Sequence, residues 1–314
     1  MFLIILINMK YRSFSRKNIR VSVIGLGTWQ FGGEWGQTYS QSEVNGIVDA
    51  CRETGINLLD TAECYGDGVS ERLVGKAITA DRDRWFLATK FGHHYKGDFQ
   101  RDQLWSAGDV QKQLEQSLKN LNTDYIDLYQ FHSGGEEAFD NEELWTMLSK
   151  QLDAGKIRQI GVSLTSNAET RDSQAPRVAG VGAEAVQVVY SRLVSSAEEI
   201  VFPACIKDGL GVLARVPLAS GFLTGKYSPG VTFPEGDYRG NLGREKLDAM
   251  AEEAARIKKS EVPAGTSMAA WALAWCLKHE AVACVIPGAR NIDQLKANAA
   301  AAEMAEESHP LAIS

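Results

Sequence analysis

Tyr125-Ile126-Asp127-Leu128-Tyr129, a helical stretch over residues 141–154, and Ile157-Arg158-Gln159-Ile160-Gly161-Val162 form the segment on which the fold turns. A short β-rich run, a helix and a second β-rich run make a βα unit, and the same rhythm extends in both directions. Toward the N-terminus lie Trp85-Phe86-Leu87-Ala88 with a helix over 109–121, and Ile56-Asn57-Leu58-Leu59 with a helix over 71–78. Before them comes Val21-Ser22-Val23-Ile24, with a glycine-rich turn and a helix over 42–54 that Ser42 would cap. Toward the C-terminus come a helix over 167–178, Ala185-Val186-Gln187-Val188-Val189, a helix over 197–207 and Gly211-Val212-Leu213-Ala214. A Gly/Pro-rich loop over 217–243, helices over 244–259 and 267–278, Ala283-Cys284-Val285-Ile286 and a helix over 292–304 complete the series. Eight strand–helix alternations in one chain predict an α/β fold, a single-domain (β/α)8 TIM barrel.

The rival is a doubly wound sheet with a second domain. No composition break or linker divides the chain. The one dinucleotide-like match, Gly25-Leu26-Gly27-Thr28-Trp29-Gln30, ends in Gln and opens no helix, so it reads as a turn after the first strand.

The chain has 314 residues, 44% hydrophobic and 23% charged, which suits a globular barrel with a sizeable core. A net charge of -7 argues against a nucleic-acid groove and favours solubility. The five cysteines, Cys51, Cys64, Cys205, Cys276 and Cys284, are odd in number and none stands at C-x-x-C spacing. A disulfide framework or zinc knuckle is not indicated, and a reducing, cytoplasmic setting fits. Residues 1–8 are apolar but too short to span a bilayer, and they lack a basic start and a cleavage site. They read as a non-native or disordered extension, with the barrel domain over 9–314. No later stretch is apolar enough to cross a membrane.

Polar residues at the C-terminal ends of barrel strands read as catalytic. Asp60 closes the second run, Lys90 the third and His132 the fourth, and Tyr65 lies in the loop after Asp60. Reducing a carbonyl needs a hydride on carbon and a proton on oxygen. A tyrosine can give the proton, and a nearby lysine would lower its pKa from about 10. Asp60 would hold Lys90 charged, and His132 would orient the carbonyl oxygen. Singly, each has a structural reading: an ion pair, a loop aromatic, a core histidine. Together, on successive strand ends, they favour catalysis.

Gly25-Leu26-Gly27-Thr28-Trp29, Leu59-Asp60-Thr61-Ala62-Glu63-Cys64-Tyr65-Gly66, Ala88-Thr89-Lys90-Phe91-Gly92 and Asp127-Leu128-Tyr129-Gln130-Phe131-His132 resemble the aldo-keto reductase superfamily, over residues 21–302. The resemblance implies a barrel that binds NADP(H) without a Rossmann fold. It implies Tyr65 as acid–base, Lys90 and Asp60 as its tuning pair, and His132 as orienter. For the cofactor it implies Gly27, Thr28 and Trp29 at the first strand, and Ser163 and Gln187 at the carboxamide. Pro217, Leu218, Ser220, Gly221, Gly225 and Lys226 would wrap the pyrophosphate. Gly288, Ala289, Arg290, Gln294 and Asn298 would take the adenosine end, with Arg290 on a 2′-phosphate.

The chain departs from the family pattern at two positions. Leu164 stands where the family often has Asn. Arg215 stands where many members stack an aromatic on the nicotinamide, and a cation there would favour NADPH over NADP⁺. The implied substrate is a small aldehyde, ketone or alcohol. The resemblance admits a second reading as a nucleotide-bound, redox-sensing potassium-channel β subunit, although no polybasic or amphipathic docking segment stands out.

His93-His94, with no matched carboxylate or cysteine beside them, read as loop residues near the site, and no metal is expected. Cys64 beside Tyr65 is a candidate reactive thiol. Trp29, Trp35 and Trp105 either line an apolar substrate pocket or pack the core.

Overall fold

The computed structural model describes residues 7–97, 99–306 and 308–313. An antiparallel hairpin, β1 (Tyr11–Phe14) and β2 (Ile19–Ser22), precedes the barrel and pairs with β13 (Ala312–Ile313). The eight parallel barrel strands are β3 (Leu26–Gly27), β4 (Leu58–Asp60), β5 (Phe86–Phe91), β8 (Leu128–His132), β9 (Ile160–Ser163), β10 (Ala185–Val189), β11 (Gly211–Arg215) and β12 (Val282–Val285). Parallel bridges from Ile24 to Val285 and from Gly27 to Gly288 close the ring between β3 and β12. The closure is tight, since a side chain on Gly27 would sit 2.9 Å from the Ile286 carbonyl oxygen. Between β5 and β8 an antiparallel hairpin, β6 (His93–Gly97) and β7 (Gln100–Gln103), projects from the ring.

Helices link the strands: α1 (Gln41–Thr54), α2 (Val69–Ile78), α3 (Ala107–Leu121), the single turn α4 (Glu136–Phe139), α5 (Glu142–Asp153), α6 (Ala168–Gln174), α7 (Val201–Asp208), α8 (Arg244–Ser260), α9 (Met268–Leu277) and α10 (Ile292–Ala299). Their starts follow capping chemistry. Asn141, Asn167, Ser267 and Asn291 each accept a backbone N–H from the first turn. The expected cap of α1 is corrected from Ser42 to Ser40. Ser40 accepts from Glu43 N–H at 3.3 Å while Glu43 accepts from Ser40 N–H at 2.8 Å, a reciprocal capping box.

Two further expectations are corrected. Val21-Ser22-Val23-Ile24 is not the first barrel strand, because Val21 and Ser22 finish β2 beneath the ring. The glycine-rich segment read as a turn contains the first barrel strand itself, β3, followed by a short helical turn over Trp29–Gly32. Residues 1–6 of the expected extension lie outside the described residues, while Ile7 packs against the core and Met9 is buried. All five cysteines are free and buried. Among the described residues no helix is long and apolar enough to cross a membrane.

Strand alternation sorts side chains into two cores. Leu59, Leu87, Tyr129, Phe131, Val162, Val186 and Val212 point outward and pack beneath the helices. Leu58, Phe86, Ala88, Leu128, Ala185, Leu213 and Cys284 point into the bore. Phe14, from the β1–β2 hairpin, plugs the bore from below with its ring 5.2 Å from that of Phe86. The lower bore is therefore filled by apolar side chains. The polar residues of the strands sit above this layer, at their C-terminal ends.

Candidate active site

Two residues further along the same strands, the inward positions become polar. Asp60 ends β4, Lys90 follows Ala88 on β5, Gln130 and His132 follow Leu128 on β8, Gln187 follows Ala185 on β10, and Arg215 follows Leu213 on β11. Lys90 is 1% exposed and Asp60 3%, so their charges require partners. The Lys90 Nζ donates to Asp60 Oδ1 at 2.6 Å and to the Thr61 carbonyl at 2.7 Å. The other Asp60 oxygen accepts from Gln187 Nε2 at 2.7 Å and from Gln130 Nε2 at 3.1 Å. Gln187 also donates to Gln130 Oε1 at 3.2 Å. Burial works against the Lys90 charge, but Asp60 and Tyr65 outweigh it and its pKa lies above the ordinary value.

Tyr65 hangs over this pair from the loop after β4, and Lys90 Nζ donates to its hydroxyl at 3.3 Å. The loop is fixed by Gly66 in the left-handed region, where a side chain would meet the Gly32 carbonyl oxygen at 2.3 Å. The lysine was expected to lower the Tyr65 pKa. Lys90 does pull it down, but burial is the larger influence, Asp60 adds to it, and the hydroxyl is pushed up to about 12. Tyr65 is therefore a protonated phenol at neutral pH, a state that can give a proton.

His132 ends β8 with its ring 6.3 Å from that of Tyr65. Burial, then His93, Lys90, Arg215 and Arg101, push its pKa well below the ordinary value, so the imidazole is neutral. Its Nδ1 lies 3.8 Å from the Cys64 Sγ. Burial pushes the Cys64 thiol far up, so the group facing Nδ1 is a protonated thiol. The two adjacent histidines part company: His93 stacks on His132 at 4.6 Å, while His94 is exposed. Burial and Arg101 push the His93 pKa down to about 4.

The residues expected at a nucleotide fall around the same mouth. Ser163 is 1% exposed, and its hydroxyl has no partner among the described residues. Arg215 donates to the Leu164 carbonyl at 3.0 Å, while its buried Nε has none among them. The Leu164 side chain turns away into the outer core. After β11, Val216, Ala219, Ser220 and Gly221 all have positive φ, at 56°, 48°, 56° and 93°. Three non-glycine residues in the left-handed region within five positions are costly, and such strain collects at ligand clamps. Pro217 and Leu218 lie within this turn, Gly225 closes it, and Lys226 beyond it is exposed. The Gly/Pro-rich loop over 217–243 carries two helical turns, Ala219–Thr224 and Tyr238–Leu242. Phe222 and Leu223 anchor it on α8 and α9.

At the far end, Arg290 donates to the Trp35 carbonyl at 3.0 Å and to Asp237 at 3.3 Å, and its backbone N–H donates to Gln294. Asn298 donates to the Gly288 carbonyl at 3.2 Å, and Ala289 is buried. Thr28 is buried, with its hydroxyl on the Asp60 carbonyl and on Ser70, so it braces β3 against β4.

Trp29 stacks on Tyr65 at 6.0 Å and meets Trp35 and Tyr238. Trp29 and Trp35 thus wall the mouth, whereas Trp105 packs on Phe131 and touches His93 with its edge. Sequence reasoning passed over Gln130, although period-two spacing from His132 could have found it. It also passed over Glu34, which is 1% exposed and accepts from Trp29 Nε1, from Phe99 N–H and from Arg101. Its three partners tie the first strand's loop to the β6–β7 hairpin.

The description "Aldo/keto reductase family" matches residues 23–309. The chain is 34% identical to aldo-keto reductase YhdN of Bacillus subtilis over 92% of its own length and 87% of that protein. It is 32% identical to the NADP(+)-designated aldo-keto reductase yakc of Schizosaccharomyces pombe, over 90% of this chain and 84% of the other. An Arabidopsis thaliana protein named "Probable voltage-gated potassium channel subunit beta" is 27% identical, over 94% of this chain and 92% of its own. The holo form of an aldo-keto reductase from Bacillus halodurans superposes with a TM-score of 0.76 at 30% identity, covering 94% of this chain and 91% of that one. With eight parallel strands closed into a ring and Asp60, Tyr65, Lys90 and His132 gathered at its C-terminal mouth, this chain belongs to the aldo/keto reductase family.

Proposed function

We propose that the protein reduces aldehydes or ketones to alcohols, reversibly, with NADPH as cofactor and Tyr65 as proton donor. The observation that carries this reading is Lys90, buried between Asp60 at 2.6 Å and the Tyr65 hydroxyl at 3.3 Å, at the open end of the bore.

A nicotinamide cofactor fits the residues present. The orphaned Ser163 hydroxyl and Arg215 Nε offer buried hydrogen-bonding capacity to a ligand, and the left-handed turn over 216–221 presents backbone to an anion. Ser163 and Gln187 would hold the carboxamide. Gly27 and Trp29 would border the cofactor from the first strand, with Thr28 behind them. Pro217, Leu218, Ser220, Gly221, Gly225 and Lys226 would follow the pyrophosphate. Gly288, Ala289, Arg290, Gln294 and Asn298 would take the adenosine end. When bound, the cofactor supplies the hydride that goes to the carbonyl carbon.

The chain's own part is proton delivery and alignment. His132 donates a ring N–H to the carbonyl oxygen and places it beside the Tyr65 hydroxyl. Tyr65 gives its proton to that oxygen as negative charge develops. Lys90 stabilises the phenolate left behind, and Asp60, held by Gln130 and Gln187, keeps Lys90 charged. Trp29 and Trp35 keep water from the reacting oxygen.

Arg215 places a cation beside the nicotinamide position and so favours NADPH over NADP⁺. Equal or tighter binding of NADP⁺ in a fluorescence titration would contradict this. Arg290, released from Asp237, pairs with the 2′-phosphate. Arg290→Ala should cut the preference for NADPH over NADH by about 10- to 100-fold, the worth of one charge-assisted hydrogen bond.

The test is NADPH consumption against a panel of small aldehydes and ketones, wild type beside Tyr65→Phe. Turnover that collapses in the variant supports the reading, and turnover that survives removes Tyr65 as donor. The likeness to a potassium-channel β subunit gives the second reading. Tight NADPH binding with no turnover on any carbonyl would favour it.

A further inference from the structure

We propose that Cys64, His93 and His132 form a binding site for a zinc-class divalent cation beside the tetrad. Their ligand atoms all lie within 4.8 Å of one another. The Cys64 Sγ and His132 Nδ1 are 3.8 Å apart, and the two imidazoles stack at 4.6 Å and 29°, so one ring has to turn to aim its in-plane lone pair at a shared ion. Zinc with Zn–S near 2.3 Å and Zn–N near 2.0–2.1 Å sets tetrahedral ligand atoms about 3.3–3.7 Å apart. The Cys64–His132 pair is already close to that spacing, and a pair at the 4.8 Å limit has to close by about 1.1–1.5 Å. The three donors come from different elements: the loop after β4, the start of β6 and the end of β8.

The chemistry of the donors agrees. Both imidazoles are neutral, the form that offers a lone pair to a metal. The thiol must lose its proton: Cys64 S–H and the dication give a metal-bound thiolate and a released proton, with no change of oxidation state. Burial and then Glu63 resist this ionisation, while Arg101 beside the sulfur favours it and a coordinated metal drives it. Of the nearby cations, Lys90 is balanced by Asp60 and Arg101 by Glu34, which leaves Arg215 opposing the metal. Three protein ligands, two of them partly exposed, leave a fourth position open to water or to a carbonyl oxygen, as in catalytic rather than structural zinc sites. A metal on His132 Nδ1 immobilises the imidazole that aligns the substrate, so the cation slows carbonyl turnover. That consequence rests on the reductase reading, whereas the coordination does not.

The experiment is a titration of the reduced, nucleotide-free protein with Co²⁺ under nitrogen, followed by absorbance. One equivalent should produce a thiolate-to-cobalt charge-transfer band and the intense visible bands of a tetrahedral ion. Cys64→Ala should lose the charge-transfer band. His93→Ala should bind at least about 100-fold more weakly, the upper end of what loss of even an outer-shell partner costs. X-ray absorption of the wild type with one equivalent of Zn²⁺ guards against misfolded variants and should show one sulfur near 2.3 Å. No sulfur scatterer, or a charge-transfer band that persists in Cys64→Ala, would overturn the site. Zn²⁺ should inhibit NADPH-dependent turnover, reversibly by chelator and at least tenfold less potently in His93→Ala. A wild type without turnover but with the cobalt spectrum would sink the reductase reading and leave the metal site standing.

Discussion

The lower and upper halves of the bore are built on the same strands, two residues apart, and they differ in almost every physical respect. Below, Leu58, Phe86, Leu128 and Leu213 fill the space around Phe14 with apolar volume. Above, Asp60, Lys90, Gln130 and Gln187 bury charge and amide groups that hold one another in place. The lower layer stabilises the fold by removing apolar surface from water, at about 25 cal/mol per Å². The upper layer has to satisfy each desolvated group before it stabilises anything. One periodic scaffold therefore separates the part that holds the barrel together from the part that carries its chemistry.

The largest effects should come from breaking each half in its own way. Phe14→Ala empties the plug and should cost about 3–5 kcal/mol of unfolding free energy in urea, with kcat close to wild type. Lys90→Met leaves Asp60 buried without its cation and should cost a similar 3–5 kcal/mol while also abolishing most turnover. Adding Asp60→Asn to Lys90→Met should recover stability but not rate. Recovery of both would show that the pair is structural only.

A smaller loss tests the residue that sequence reasoning passed over. Gln130→Leu removes one donor to Asp60 and should cost about 1.5–3 kcal/mol. A neutral result would mean that Gln187 and Lys90 alone satisfy the carboxylate.

Acid and alkali should also separate the halves. The Lys90 pKa is raised in the fold, so its contribution is complete below the unfolded value near 10.4 and is lost as pH rises through the folded one. His93 has the opposite sign. Its pKa falls to about 4 in the fold, so its contribution is intact above about 6.5 and is lost as pH drops through that interval. His93→Asn should flatten the acid limb of a plot of urea midpoint against pH, while Phe14→Leu should only lower the whole curve. The smallest expected effect is an absence: carbonyl reduction should show no inflection near pH 6.5, because His132 stays neutral.

How much of this was legible in the sequence depended on whether the signal was local. Ala185–Val189 was read residue for residue because a β-branched run between turns admits little else. Asp60, Lys90 and His132 stood out because polar residues ended apolar runs. Val21–Ile24 misled because the run straddles two elements, ending β2 at Ser22 and reaching the barrel at Ile24, which bridges Val285. The β6–β7 hairpin gave no apolar alternation, since His93–Gly97 and Gln100–Gln103 are mostly polar and are held by cross-strand pairing and by a Lys96–Asp102 ion pair at 2.8 Å. The direction of the Tyr65 shift was hidden because burial is a property of the whole fold. The approach of Cys64, His93 and His132 was hidden because long stretches of chain separate its members.

The most direct test of the division between the two halves measures two quantities in one variant, Tyr65→Phe: kcat for NADPH-dependent carbonyl reduction and the free energy of unfolding. The expected result is a fall in kcat of about a hundred- to ten-thousand-fold, the worth of a general acid, with stability within about 1 kcal/mol of wild type. A rate near wild type, or a loss of rate matched by a loss of folded protein, would contradict the assignment of the upper bore to proton transfer.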